Sequence, residues 1–409
     1  MIKSVKASLI IISGLLLAWF LPWFYTFISA SPAWSPFTLY SCITHCFAYI
    51  DFDQDGNIYG KDFNGNTYTE HQTDSIMPLF YYRQLASEGR LPAEIEGVPV
   101  TVETAERTGF IFRTSPYDVN RRRPGIYQLL ESVPDRVDFK SPDDVFRITD
   151  NGIEFIDMKT NNVNSEKSTL FTDAMISCGF SFPARIVSGN GSPKKEYDNG
   201  YLILDSTGNL FHMKQVHGMP AIKNTGVRTQ SDIAHIFVTE FPDRKLLGLV
   251  SDADGRFYGI DAADYSLHEI PVSGFDPDRQ EMTIIGDMLY WTITVSDLEK
   301  ERLVAMNART WEKADSYTRE YDIQTWEKIS EYAFPAILSF SSPLDSYIQP
   351  RLSGFSCRAL WTGLILAAAY ALIRRKKAKP ALIAECGSIA LCGIFLFIPL
   401  LVFSPTGQD

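Results

Sequence analysis

Read from Asp51, the stretch "DFDQDGNIYGKD" (51–62) places aspartate at positions 1, 3, 5 and 12 and glycine at position 6. Those aspartates are Asp51, Asp53, Asp55 and Asp62. The spacing is that of an EF-hand calcium loop, in which side-chain oxygens wrap one ion and glycine permits the sharp turn. The chemistry would be calcium coordination, making the four aspartates candidate metal ligands and calcium the one candidate cofactor. The flanks argue otherwise. "LYSCITHCFAYI" before the loop is rich in β-branched and aromatic residues, and "FNGNTYTEHQ" after it holds no helix. An EF-hand needs a helix on each side, although a hairpin could present the same oxygens.

A near copy favours a structural turn over calcium. "DQDGNIYGKD" (53–62) returns as "DADGRFYGID" (252–261) with Asp, Asp, Gly, Tyr, Gly and Asp retained. Aligned on Gly255, the counterpart of Asp51 is Val250, so the first ligand is missing. What persists is what a hairpin needs: glycine for positive φ, an aromatic for the buried face and aspartate to hold the turn backbone. A turn residue followed three places later by an aromatic recurs at Gly56/Tyr59, Gly109/Phe112, Gly152/Phe155, Gly208/Phe211, Gly255/Tyr258 and Asp287/Tyr290.

Turns at intervals of ~40–50 residues suit propeller blades, in which small sheets bury their faces against one another. The flanks "YLILDSTGNLFHMK" (201–214), "LLGLVSDADGRFYGID" (246–261) and "ERLVAMNARTWEK" (301–313) read as strand, turn, strand. The expected fold is mainly β: a propeller-like domain of six or seven blades, with a β-sandwich as the alternative. "DSIMPLFYYRQLASEG" (74–89) predicts a helix capped by Asp74 or Ser75 and stopped at Gly89, and "PGIYQLLES" (124–132) a second short one. Residues 319–356 read as irregular.

Three apolar runs bound this domain. Residues 7–27 carry no charge and are long enough to cross a bilayer. They exceed the usual core of a cleaved signal peptide, so a retained anchor is expected, with cleavage after Ala30 as the alternative. Residues 357–373 and 381–403 are the second and third expected transmembrane helices, joined by a basic loop (374–380) containing "RRKKAK". Such a loop stays in the cytoplasm, as does the end (1–6) bearing Lys3 and Lys6. Residues 30–356 and the tail 404–409 are then extracytoplasmic, and the expected location is the bacterial inner membrane. Of 38 Lys+Arg and 49 Asp+Glu, eight basic and two acidic residues lie outside 30–357, leaving −17 on the segment between. That charge repels phosphate backbones and excludes nucleic acid as a partner.

Other constellations are weaker. "CITHC" offers Cys42, His45 and Cys46, but no second cluster completes a zinc site, and free thiols or a short-range disulfide are the better reading. His212 and His217 are spaced for neither one helix face nor one strand face and read as surface or sheet-edge residues. "NRRRP" (120–124) is the one basic cluster, read as an anion site or as partners for Asp118, Glu131 and Asp135. No Gly-x-Ser-x-Gly elbow or phosphate-cradling loop occurs, and no catalytic residue is assigned.

The segments "DSIMPLFYYRQLASEGRLPAEIEG" (74–97), "YQLLESVPDRVDF" (127–139) and "PDDVFRITDNGIEFID" (142–157) resemble those of an uncharacterised bacterial family of membrane-anchored proteins with an extracytoplasmic propeller-like domain. The resemblance implies no activity and no functional residue. It implies an association with ABC-transporter components. The expected function is a membrane-anchored binding or scaffold protein, not an enzyme, with a membrane-protein partner such as an ABC permease. The alternatives are a propeller enzyme acting on polysaccharide and a calcium-dependent sensing or adhesion module.

Overall fold

The computed structural model describes residues 2–30, 35–52, 56–375 and 377–404. It divides into two compact units, Ser35–Glu320 and a unit formed by the two chain ends, Met1–Trp34 with Tyr321–Asp409. The chain opens with helix α1 (Ile2–Ser29), whose segment Ser4–Ser29 is long and apolar enough to cross a membrane.

The larger unit is mainly β, and its sheets are antiparallel meanders. The first joins β1 (Thr38–Ser41), β2 (Cys46–Phe52), β3 (Ile58–Asp62) and β4 (Thr67–Thr69) in chain order. An insertion follows: helices α2 (Glu70–Ile76) and α3 (Tyr82–Ser87), hairpin β5 (Glu94–Ile95) and β6 (Val98–Pro99), helix α4 (Val102–Thr108), strand β7 (Phe110–Thr114) and the short α5 (Pro116–Val119). Next come hairpin β8 (Asp144–Ile148) and β9 (Ile153–Asp157), backed by α6 (Ser165–Ser177). Two further four-stranded meanders are β10 (Ile186–Gly189) to β13 (Met219–Asn224), through β11 (Tyr201–Leu204) and β12 (Leu210–Val216), and β14 (Ile233–Val238) to β17 (Leu267–Ile270), through β15 (Leu246–Asp252) and β16 (Phe257–Asp261). The last contains β18 (Glu281–Gly286), β19 (Tyr290–Ser296), β20 (Lys300–Asn307) and β21 (Lys313–Glu320), and β7 adds to its edge by pairing with β18.

Alternating side chains explain why these sheets stack. In β15 every residue is buried. Leu249 points into a core shared with Phe112, Ile284 and Ile293, while its neighbour Val250 points the other way, onto Leu202, Leu204 and Ile236. Period two with both faces apolar is the pattern of a sheet covered on both sides. The sheet of β10–β13 is sandwiched in the same way: Leu202 meets Ile236 and Tyr258, whereas Tyr201 and Ile203 meet Phe146, Phe155, Phe171 and Met175 of the β8–β9 hairpin and α6. The first sheet packs on the last. Phe47 sits with Leu303 and Ala305, and the backbone N–H of Tyr40 donates to Thr292 Oγ1 at 2.8 Å.

Several expectations change. Among the described residues of this unit, four sheets of four or five strands and two hairpins stand where six or seven blades were expected, because α2–α6 and long connections occupy the intervening chain. The helix expected over 74–89 is two helices separated at Met77–Tyr81, and its N-cap is Thr69, in a capping box with Gln72. Residues 124–132 are not helical, and Tyr127 bridges to Phe146 instead. Residues 319–356, expected to be irregular, hold the end of β21, helix α7 (Thr325–Ala333) and strands β22 (Ile337–Ser339) and β23 (Arg351–Ser353).

In the unit of chain ends, the expected span 357–373 is the 15-residue helix α8 (Ala359–Ile373). The span expected over 381–403 is broken into α9 (Lys379–Cys392) and α10 (Ile394–Phe403). The break is at Gly393, whose φ of 55° leaves the right-handed region and interrupts the helix ladder. Of these apolar helices, α1 alone has the length for a full crossing. Glu385, the one acid in the apolar C-terminal run, accepts hydrogen bonds from Tyr370 (2.8 Å), Lys377 (2.6 Å) and Ser404 (3.0 Å).

Candidate functional site

The ladder separates the aspartates that the spacing groups together. Asp51 pairs with Tyr59 across β2 and β3, and Asp62 pairs with Ala48. Three residue steps along a strand span roughly 10 Å and turn the side chain to the opposite face. Asp51 and Asp62 therefore do not share one ligand sphere. Asp51 is engaged by the Phe52 N–H (2.9 Å) and the Tyr59 hydroxyl (3.1 Å). Asp62 is buried and accepts from the Asn66 N–H, the Asn66 side-chain amide and the Tyr68 hydroxyl, each at 2.8 Å. Burial alone would raise its pKa, but these hydrogen bonds outweigh that and hold the carboxyl below its usual value. Asp53 and Asp55 lie outside the described residues. Among the described residues no cluster of three or more His, Cys, Asp or Glu is arranged to hold a metal ion.

The turn itself is an aspartate three residues before a positive-φ glycine, with an aromatic three residues after it. Asp252 accepts from the N–H groups of Asp254 and Arg256 and from the Tyr258 hydroxyl, around Gly255 at φ 76°. Asp205 does the same for Thr207 and Asn209 around Gly208 at φ 84°. Asp62, Gly65 and Tyr68 form another copy, between β3 and β4, outside the six turns of the sequence series. The described part of the first phrase, 56–62, and the phrase at 252–261 each lead into the third strand of a four-stranded meander. Three members of the series differ: Gly109 caps the end of α4, Gly152 turns the two-stranded β8–β9 hairpin without positive φ, and Asp287 joins a first strand to a second.

That last turn borders the candidate site. A cavity of about 340 Å³ lies between β1, the α2–α4 insertion, β7 and the β18–β19 turn. Its walls include Leu39, Met77, Leu79, Phe80, Phe110 and Ile285, and its polar groups include Tyr40, Cys42, Glu106, Asp287 and Thr292. Asp287 Oδ1 accepts from the N–H groups of Leu289 (2.7 Å) and Tyr290 (2.8 Å). Burial nevertheless pushes its pKa up to about 6, with a small contribution from Glu96. Burial, then the charges of Asp287 and Glu96, pushes the Cys42 thiol up to about 12. At neutral pH that thiol is protonated and is a small, weakly polar wall rather than a nucleophile. Tyr290, its ring 4.9 Å from that of Tyr40, donates to Glu96 at 3.1 Å. His45 Nδ1 is 3.6 Å from the same carboxylate. The arrangement suits a small apolar molecule with one donor group meeting Asp287. The insertion that builds one wall was legible only as a helix, and Asp287 only as a turn.

The remaining sequence candidates fall elsewhere. Cys42, Cys46 and Cys178 are free thiols. His212 is not at the surface. Its Nε2 donates to the Asn199 carbonyl (2.7 Å), its Nδ1 accepts from the Tyr265 hydroxyl (3.0 Å), and burial lowers its pKa to about 4. The backbone of His217 donates to Glu131, which accepts from Gly218 as well. Glu131 is thus held by backbone donors rather than by the neighbouring arginines.

Among known proteins, no curated sequence matches this chain. A solved structure of the dihydro-heme d1 dehydrogenase NirN in complex with DHE is similar at 10% identity, covering 66% of this chain and 69% of that one, with a TM-score of 0.22. At that score the likeness carries no argument about this chain. Residues 37–306, which include the first sheet, the insertion, the cavity and most of the last sheet, match the model of a domain of unknown function, DUF4857. The chain belongs to the DUF4857 family.

Proposed function

We propose that this chain is a membrane-anchored binding and scaffold protein. Its β unit lies outside the cytoplasm as a β-propeller, and its chain ends sit in the inner membrane beside an integral membrane partner, an ABC-type permease being the favoured class. The row of face-packed sheets, with the first against the last, supports the ring. The basic run at 374–379, between apolar helices, supports the orientation.

The observation that carries the reading is the set of large apolar side chains that remain outward after the end helices pack together. Small residues bring these helices close: Gly14 lies against Phe395 and Leu396, and Gly363 against Ala390. Yet Leu15, Leu16 and Trp19 of α1 and Trp361, Leu364 and Ile365 of α8 stay exposed. Such surfaces call for lipid or for the helices of a partner.

Two measurements test the reading. Purification of the full chain in a mild detergent should bring down an integral membrane protein in fixed proportion; isolation of the chain alone overturns the scaffold role. In a background without the native cysteines, Leu298→Cys at the exposed β19–β20 turn should react with a membrane-impermeant maleimide on spheroplasts without lysis. Reaction only after permeabilisation overturns the orientation.

A further inference from the structure

We infer that the arginines of "NRRRP" form the floor of a second ligand site, one that takes a small organic polyanion. A cavity of about 560 Å³ is lined by the loop of Arg121, Arg122 and Arg123 and by the edge strands β7, β10 and β14 of three different sheets. That volume falls in the range of roughly 300–1,000 Å³ of small-molecule sites. A neighbouring recess of about 270 Å³ shares Arg123, Tyr127 and Phe237 and adds Arg185.

Charge is the first argument. The β unit is strongly acidic, yet three consecutive arginines line this one cavity. Two of the three expected carboxylate partners are engaged elsewhere: Asp118 accepts from Ser115, and Glu131 holds the backbone of His217 and Gly218. Among the described residues neither Arg121 nor Arg123 forms an ion pair, and Arg123 donates to the Val187 carbonyl at 3.5 Å. The acid on the recess wall, Asp278, lies 3.4 Å from His235.

Shape is the second. Beside the arginines the lining is largely apolar and aromatic, with Phe112, Ile126, Tyr127, Ile236 and Phe237. Edge strands also turn backbone N–H groups towards open space, where they can donate to an oxyanion. The ligand class is therefore a ring compound bearing at least two oxyanion groups, the ring against Phe237 and Tyr127 and the oxyanions forked by guanidinium groups.

The test is calorimetric titration of the full chain in a neutral detergent, independent of any partner capture. The probes are naphthalene-1,5-disulfonate, benzene-1,3,5-tricarboxylate, inorganic phosphate and the uncharged 1,5-dihydroxynaphthalene. The disulfonate and tricarboxylate should bind more tightly than phosphate, by about tenfold or more, and weaken as salt rises. Which of the two binds better distinguishes sulfonate from carboxylate chemistry. The double variant Arg121→Gln/Arg123→Gln should weaken both by about tenfold or more, while Arg121→Lys/Arg123→Lys retains part of the affinity. Equal binding of the diol, salt-independent binding by the wild type, or unchanged affinity in a Gln variant of native melting temperature would each overturn the proposal. The salt series and the diol need no variant, so misfolding of a mutant leaves the proposal exposed to refutation.

Discussion

Nζ of Lys195 lies 2.7 Å from Oε1 of Glu240, with the lysine side chain 5% and the glutamate side chain 8% exposed. The same ammonium contacts Asp198, 2% exposed, at 2.5 Å and the Asn190 carbonyl at 2.6 Å. Glu240 accepts from the Asn199 N–H, and Asp198 from Ser132. Two meanders are thereby tied together by one buried cation shared between two carboxylates. Removing the cation strands both acids: Lys195→Met should cost about 3–5 kcal/mol. Glu240→Gln keeps an acceptor and should cost less, about 1–2 kcal/mol. Denaturant unfolding in detergent, with midpoints compared at unchanged slope, reads both. A neutral Lys195→Met would show the cluster to be solvated.

His212 gives a pH dependence of definite sign. Burial holds its folded pKa at about 4, below the usual value near 6.5, so the folded state disfavours the proton. The stabilisation is complete above pH ~6.5 and is lost as pH falls through 4, by on the order of 3 kcal/mol. His212→Gln should flatten the fall in melting temperature over that interval. A variant with the wild-type pH profile would place the acid sensitivity elsewhere.

Asp287 has the opposite sign. Its carboxyl, raised to about 6 by burial, releases its proton later than in the unfolded chain. The contribution is present below pH ~4 and is lost as pH rises through 6. Asp287→Asn keeps an oxygen for the Leu289 and Tyr290 N–H groups and removes the buried charge. It should raise stability at pH 7 by about 1–2 kcal/mol and leave it unchanged at pH 4. If the cavity binds through the aspartate, the same variant loses ligands with a cationic donor.

For the aspartate–glycine turns, melting temperature should be the same in saturating calcium and in chelator, because Asp62 is already filled by three donors. Tyr68→Phe and Tyr258→Phe should each cost about 1 kcal/mol, removing a hydroxyl donor from Asp62 and Asp252. A calcium-dependent rise in melting temperature would return Asp51 and its neighbours to coordination.

The turn phrase was legible because its determinants are local. An aspartate, a glycine and an aromatic at fixed spacing act within one hairpin, so β11–β12 and β15–β16 could be read directly. The number of sheets was not legible, because the hairpin β8–β9 is completed by a helix, α6, whose Phe171 and Met175 supply the missing face. The pairing of β7 with β18 joins Phe112 to Ile284 across more than half the unit, and no periodicity encodes such a partner. Both cavities depend on that pairing or on the insertion before it. Gly393 was visible in an apolar run, but no neighbouring turn residue marks its positive φ, so two helices read as one.

The seating of Phe47 against Leu303 and Ala305 has a bearing on biosynthesis. The ribosome makes the earliest strands of this unit long before the surface that receives them. Until the final meander emerges, the nascent polypeptide carries an uncovered aromatic face, so the unit should become protease-resistant only near the end of translation, and chaperone engagement should concentrate on that waiting segment.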